Sequence, residues 1–192
     1  MRLGIFGGSF DPPHLGHLLP AIDAAEALQL DEVRFVPAAV QPFKVGRSTA
    51  APSHRLAMTE RLVAEVPGFV ADGTEIDRAG LSFTVDTLAA MAAASPGAER
   101  FLLLGADAFA LFDQWRDPQR ILSLASIAVL VRGGDVMPDV GSRGGAGVQL
   151  LQTRRVDISS TELRARVADG RTIRGFVPDA VADYIAEHRL YR

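Results

Sequence analysis

The residues with the most chemical potential lie near the start of the chain, in Gly7-Gly8-Ser9-Phe10-Asp11-Pro12-Pro13-His14-Leu15-Gly16-His17. An apolar run, Leu3–Phe6, reads as a buried strand ending at the glycine pair. Pro12 and Pro13 set a rigid turn, and a helix reads from Leu15. Glycines let a ligand approach the backbone closely. A helix N-terminus adds unpaired N–H groups and a positive dipole, which suits a phosphate. His14 and His17 are three residues apart and share one helix face. Gly16 between them costs about 1 kcal/mol relative to alanine, and close approach of a ligand is one reason to keep it. A turn of this kind can also be purely structural, and two histidines at this spacing can be half of a metal site. The glycine spacing is not the dinucleotide fingerprint, and no lysine follows to make a Walker A loop.

A second run is Ile158-Ser159-Ser160-Thr161-Glu162-Leu163-Arg164. Ser159 or Ser160 caps a helix beginning near Thr161, so hydroxyls and N-terminal amides form a second anion site. Arg164 lies three residues beyond Thr161 on the same face and can reach a phosphate. Ser159 with Glu162 also reads as a plain capping box.

The elements around these runs alternate. Strands are expected at Leu3–Phe6, Glu32–Val36, Phe69–Ala71, Thr74–Asp77, Phe101–Leu104, Ile127–Val131 and Val148–Gln152. Helices are expected at Leu15–Leu28, Pro52–Val66, from Ser82 or Thr84 to Ala94, around Ala108–Phe112 and Pro118–Leu124, at Thr161–Ala168 and at Asp179–Glu187. The glycine-rich stretch Gly133–Gly147 reads as a surface loop. Strands that are apolar throughout and separated by helices indicate an α/β fold. The expected fold is one doubly wound, Rossmann-like domain over residues 1–192, with a mostly parallel sheet covered on both faces. The part from about 158 to 192 is expected to pack on that domain. Ligands in such folds bind beyond the carboxyl ends of the strands. Glycine and polar residues stand there at Gly7-Gly8-Ser9, Gly105-Ala106-Asp107 and Arg132-Gly133.

The 192 residues carry 20 basic and 23 acidic side chains, a net charge of −3, which argues against a protein that coats nucleic acid. No cysteine is present, which excludes a disulfide framework, a thiol nucleophile and a Cys-ligated metal. No apolar stretch approaches the length of a membrane span, and no secretory leader is visible. The cytoplasm is therefore the expected compartment, with no membrane partner. Only one basic residue is a lysine, Lys44.

The two runs together resemble the H-x-G-H and I-S-S-T-x-x-R signatures of the nucleotidyltransferase superfamily. Further stretches are similar to bacterial nicotinate-nucleotide adenylyltransferases: Ser82-Phe83-Thr84-Val85-Asp86-Thr87-Leu88, Gly105-Ala106-Asp107 followed by Trp115, and Phe176-Val177-Pro178 with Val181 and Tyr184-Ile185. Many members read P-P-H-K where this chain has Gln41-Pro42-Phe43-Lys44, so the lysine is kept and Phe43 replaces the histidine. The resemblance implies transfer of AMP from ATP to nicotinate mononucleotide, releasing pyrophosphate. By it, His14 and His17 meet the ATP phosphates, while Ser159, Ser160, Thr161 and Arg164 hold the β- and γ-phosphates, beside Ile158. Gly7, Gly8, Ser9, Phe10, Gly16 and Gly105 lie along the nucleotides, and Asp107 suits ribose hydroxyls. Trp115 and Thr84 are candidates for the pyridine ring and its carboxylate. Lys44 and Arg132 are candidates for the mononucleotide phosphate, with Lys44 expected to serve as a compact point charge. Mg2+ would ride on the triphosphate, with no protein metal site. His54 and His188 read as structural, and Met58 and Met91 as core filler. The alternatives are a sister enzyme preferring nicotinamide mononucleotide, a non-catalytic nucleotide-binding regulator, or a zinc protein using the two histidines. A homo-oligomer is compatible with the chain.

Overall fold

Strand β1 (Arg2–Gly8) sits in the middle of the molecule because almost every side chain along it is apolar or absent. A computed structural model describes residues 1–41, 50–135, 138, 140 and 147–192. The described strands are β1, β2 (Glu32–Pro37), β3 (Phe69–Ala71), β4 (Glu99–Gly105), β5 (Ser126–Arg132) and β6 (Val148–Thr153). They form one parallel sheet in the order β3-β2-β1-β4-β5-β6. The chain runs outward from β1 to β3, then crosses back and runs outward on the other side from β4. The loops leaving β1 and β4 therefore diverge and open a crevice between them.

The helices are α1 (Leu15–Leu28), α2 (Pro52–Val63), α3 (Thr74–Arg78), α4 (Thr84–Ala94), α5 (Ala106–Ala110), α6 (Pro118–Leu124), α7 (Ser160–Ala168) and α8 (Asp179–Glu187). The apolar runs of β4 and β5 face both layers. Phe101, Leu103, Ala128 and Leu130 join the core under α1, α2 and α8. Leu102, Leu104, Ile127 and Val129 join the core under α4 and α6. Sheets buried on both faces need such uninterrupted runs. Leu163, Val177, Val181 and Ile185 enter the same core as Phe35 and Leu62, so residues 158–192 pack on the sheet. No helix among the described residues is long and apolar enough to cross a membrane.

The elements differ from the sequence reading in a few places. β1 continues through Gly7 and Gly8, and α2 stops at Val63. Ala106–Ala110 is helical and Phe112–Gln114 forms a 3₁₀ turn. The expected strand at Thr74–Asp77 is instead helix α3. Asp72 explains this: its Oδ1 accepts the Thr74 backbone N–H at 2.8 Å and also the Thr74 hydroxyl. That local bond offers the backbone a turn in place of a ladder. Arg34 of β2 holds the Asp72 carboxylate at 3.1 Å.

Candidate active site

One end of the crevice is built where the β1–α1 loop meets the start of α7. His14 is the N-cap of α1, and the His17 Nδ1 accepts its backbone N–H at 3.3 Å. That bond leaves the proton of a neutral His17 on Nε2. The two imidazole centroids lie 3.8 Å apart. His14 is buried, and its Nδ1 makes no hydrogen bond. Burial first, and the Arg132 guanidinium second, push its pKa down to about 4. It is therefore a neutral group at pH 7, in a place where an arriving anion would favour its protonation.

The glycines divide their work. Gly7 is open, with nothing near a would-be Cβ, whereas Gly8 is spanned by the Phe10 ring at 3.0 Å. Phe10 reaches that position with a left-handed φ of 49°, buried against Phe6, Phe35 and His17. A Cβ at Gly16 would stand 2.9 Å from the His14 Nδ1 and 3.2 Å from the Ile158 carbonyl oxygen. The glycine in the first turn of α1 thus makes room for the imidazole and for the second motif.

The two motifs are stitched together. The Ser160 hydroxyl donates to the Pro12 carbonyl at 2.8 Å, and Arg164 Nη1 donates to the Asp11 carbonyl at 2.7 Å. Ser159 caps α7, its Oγ accepting the Glu162 N–H at 3.1 Å, as the capping pattern suggested. Thr161 Oγ1 accepts from Arg164 Nη2 at 3.2 Å, which leaves its own proton to donate outward. Arg132 ends β5 in an exposed position, electrostatically felt by His14 and by Asp157.

The other end of the crevice is a largely apolar cavity of about 350 Å³ beneath the carboxyl ends of β1, β2 and β4. Thr84 and Trp115 line it together with Gly7 and Gly8. Trp115 leans on Phe112, with centroids 5.8 Å apart. Thr84 opens α4, so the N-terminal amides of that helix face the cavity. The segment before it is tied to the exit of β2: the Ser82 hydroxyl accepts the Ala39 N–H at 2.9 Å, and Ser82 N–H donates to the Val40 carbonyl. Gly105 and Asp107 stand exposed at the end of β4 and the start of α5, outside the cavity lining. Lys44 and Phe43 lie outside the described residues.

Several residues escaped the sequence reading. Glu75 is a buried carboxylate in the cavity wall, accepting the Thr87 hydroxyl at 2.6 Å, while Arg78 donates to the same hydroxyl at 3.1 Å. Taking 74–77 as a strand hid it. Arg55 is buried and holds three carbonyls. Its spacing with Met58, Thr59 and Leu62 on the buried face of α2 is the signal that could have found it. Phe83 and Arg116 pair at the cavity mouth, the guanidinium 4.7 Å from the ring centre. His54 and His188 do come together, around Tyr184 and away from the crevice. No group of three or more His, Cys, Asp or Glu among the described residues could hold a metal.

A sequence model of the cytidylyltransferase-like family matches residues 5–166. A Gemmatimonas aurantiaca protein named "Probable nicotinate-nucleotide adenylyltransferase" is 51% identical, covering 100% of this chain and 93% of the relative. A Thermus thermophilus protein of the same name is 44% identical over the full length of both. Among solved structures, the Plasmodium falciparum nicotinic acid mononucleotide adenylyltransferase complexed with APC superposes with a TM-score of 0.80 at 18% identity, over 99% of this chain and 96% of that one. The same enzyme complexed with NaAD gives 0.80 at 19% identity.

Two outcomes follow from the His14 environment. Gly16→Ala favours the helix by about 1 kcal/mol but drives a Cβ against the buried imidazole and the Ile158 carbonyl. The melting midpoint is expected to fall, and calorimetric affinity for inorganic tripolyphosphate to fall at least about tenfold. His14 has a folded pKa near 4 against 6.5 unfolded, so its contribution is complete above pH 6.5 and is lost as pH falls toward 4. That is about 3 kcal/mol at its limit. Melting midpoints measured from pH 7 to pH 4 are expected to drop less steeply in His14→Asn, and equal slopes would refute this.

Proposed function

This chain belongs to the cytidylyltransferase-like family, among the nicotinate-nucleotide adenylyltransferases, and we propose that it transfers AMP from ATP to nicotinate mononucleotide, giving nicotinate adenine dinucleotide and pyrophosphate. The observation that supports this reading is the sharing of β1 between two unlike surfaces. Gly7 and Gly8 of β1 line a largely apolar cavity of about 350 Å³, and the loop that leaves β1 brings His14 and His17, with ring centroids 3.8 Å apart, to α7, whose Ser160 and Arg164 bond to that loop.

The mononucleotide phosphate is already an anionic nucleophile, so no side chain must abstract a proton. An oxygen of that phosphate attacks the α-phosphorus of ATP. The bond from the α-phosphorus to the bridging oxygen breaks, and pyrophosphate leaves. The chain's task is alignment and charge neutralisation. His17 donates from Nε2 to the reacting phosphates, and His14 becomes a donor of positive charge as the anion arrives. The N-terminal amides of α7, Ser159, Ser160, Thr161 and Arg164 receive the β- and γ-phosphates, beside Ile158. Gly7, Gly8, Ser9, Phe10 and Gly16 shape the β1–α1 loop along the triphosphate, and Gly105 with Asp107 borders the ribose. Trp115 stacks on the pyridinium, and the amides at Thr84 take its carboxylate. Arg132, which acts electrostatically on His14, is proposed to receive the mononucleotide phosphate, and Lys44 to supply a second charge there. Mg2+, carried on the phosphate oxygens, would neutralise the leaving pyrophosphate. Residues 1–192 are read as one nucleotidyltransferase domain working in the cytoplasm.

Pyrophosphate is expected from ATP only when nicotinate mononucleotide is added, with a higher kcat/KM for the acid than for the amide mononucleotide. Release driven by phosphopantetheine, or an amide preference, would overturn the substrate. His17→Ala is expected to lower kcat on the order of 10²-fold with the melting midpoint nearly unchanged. Unchanged turnover would remove the central role given to the pair.

A further inference from the structure

Beside the residues assigned to the phosphates lies a hydrogen-bonded group that the proposed reaction does not use. Asp11 is buried in the β1–α1 loop, three residues before His14. Its carboxylate Oδ1 accepts the Tyr191 hydroxyl at 2.8 Å and the Ala50 N–H at 3.3 Å. Its backbone carbonyl accepts Arg164 Nη1 at 2.7 Å. One residue therefore carries, on its two ends, the arginine of the second motif and a phenol from the segment beyond α8.

The segment after α8 is bent to make this contact. Arg189 and Tyr191 both adopt left-handed φ angles, 51° and 64°, which non-glycine side chains seldom take. Such conformations persist where the surrounding structure holds them. Tyr191 packs against the core cluster, and its hydroxyl also lies 3.9 Å from the Met58 Sδ. Burial and the facing Asp11 carboxylate raise the phenol's pKa, so it stays a donor.

We propose that Tyr191 is a positioning residue for the triphosphate end of the site: by holding the Asp11 carboxylate it fixes the Asp11 carbonyl, and that carbonyl aims the Arg164 guanidinium. This rests on the reading of Arg164 as a phosphate-binding residue. Arg55 supports the same loop from the other side, donating to the Ser9 carbonyl at 2.8 Å, so the loop is held on both flanks of Phe10. Without the phenol, the Asp11 carboxylate keeps the longer bond from the Ala50 N–H but loses the shorter one from Tyr191, so the residue settles differently, its carbonyl shifts, and Arg164 loses its orientation toward the β- and γ-phosphates. The mononucleotide cavity shares only Ile5, Gly7 and Gly8 of β1 with this region, and its Thr84 and Trp115 walls come from α4 and the turn before α6, so mononucleotide binding is expected to be kept.

The test is a double-mutant cycle with Tyr191→Phe and Arg164→Ala, reading steady-state kinetics with each substrate varied. Tyr191→Phe is expected to lower kcat/KM for ATP about tenfold, in line with loss of one hydrogen bond to a charged group, and to leave KM for the mononucleotide within about twofold. In the Arg164→Ala background the same substitution is expected to change little. An equal loss in both backgrounds, or a matching loss of mononucleotide binding, would overturn the proposal. If Arg164→Ala itself leaves kcat/KM for ATP at the wild-type value, the phosphate role of Arg164 fails first. Asp11→Asn guards against a variant that does not fold. Its side-chain oxygen still accepts the phenol and its backbone carbonyl is unchanged, so it is expected to keep at least about a third of kcat/KM for ATP. A loss of tenfold or more there would assign the effect to the carboxylate's charge and not to positioning.

Discussion

The Arg55 guanidinium is 2% exposed, and the site is arranged around it. Its Nη1 donates to the Ser9 carbonyl, Nη2 to the Ala39 carbonyl at 3.0 Å, and Nε to the Ala50 carbonyl at 3.2 Å. These acceptors belong to three segments that share no secondary structure: the β1–α1 loop, the exit of β2, and the residues just before α2. A charge so placed is costly to bury, and its pKa is pulled down by desolvation while Asp11 opposes the shift. The cost is offset only when all the donors are met, so the arrangement is nearly all-or-none. Removing one partner of a buried ionic group typically costs about 3–5 kcal/mol. The loop that carries His14 and His17 is thus fixed by a cation that stands outside the chemistry.

The crevice separates two kinds of recognition. At one end, ring-shaped apolar space and a helix N-terminus suit a flat, charged aromatic group. At the other, the neutral His14 imidazole, His17, helix amides and an arginine suit phosphates. The neutrality of His14 matters to this division. Two charged imidazoles with centroids 3.8 Å apart would repel each other. The low pKa of His14 lets the rings lie this close and lets His14 gain charge when an anion arrives. Preorganisation of this sort keeps the cost of reorganisation away from the reacting step.

The sheet was legible because its strands are short, apolar and separated by helices, and the two motifs that meet at α7 stood out because their spacing is unusual. Most of what stayed hidden depended on partners distant in sequence, and one element on a side chain only two residues away. Thr74–Asp77 looked like a strand because nothing in its own pattern reveals that Asp72 will cap it. Glu75 disappeared with that assignment. Arg55 and Tyr191 carry no motif at all; their roles exist only once the loop, α2 and the turn beyond α8 have met. Ser159 and Ser160 were readable as a pair, yet only the folded chain distinguishes the hydroxyl that caps α7 from the one that binds the Pro12 carbonyl.

The arginine bias of the composition has a structural counterpart in several of these contacts. Arg55 reaches three carbonyls that diverge in space, which suits a planar fork and not a single ammonium nitrogen. Arg154 grips Asp23 through Nε and Nη2 at 2.9 and 2.6 Å, tying the strand exit before Ile158 to α1. Arg164 divides its two terminal nitrogens between the Asp11 carbonyl and Thr161. Each contact uses the geometry of the group as well as its charge. Lys44, the single lysine, belongs to the segment between Gln41 and Ala50, whose two ends are fixed by Ser9 and by Arg55 with Asp11. The same guanidinium that holds the β1–α1 loop at Ser9 therefore also holds Ala50, the residue at which the described chain resumes before α2.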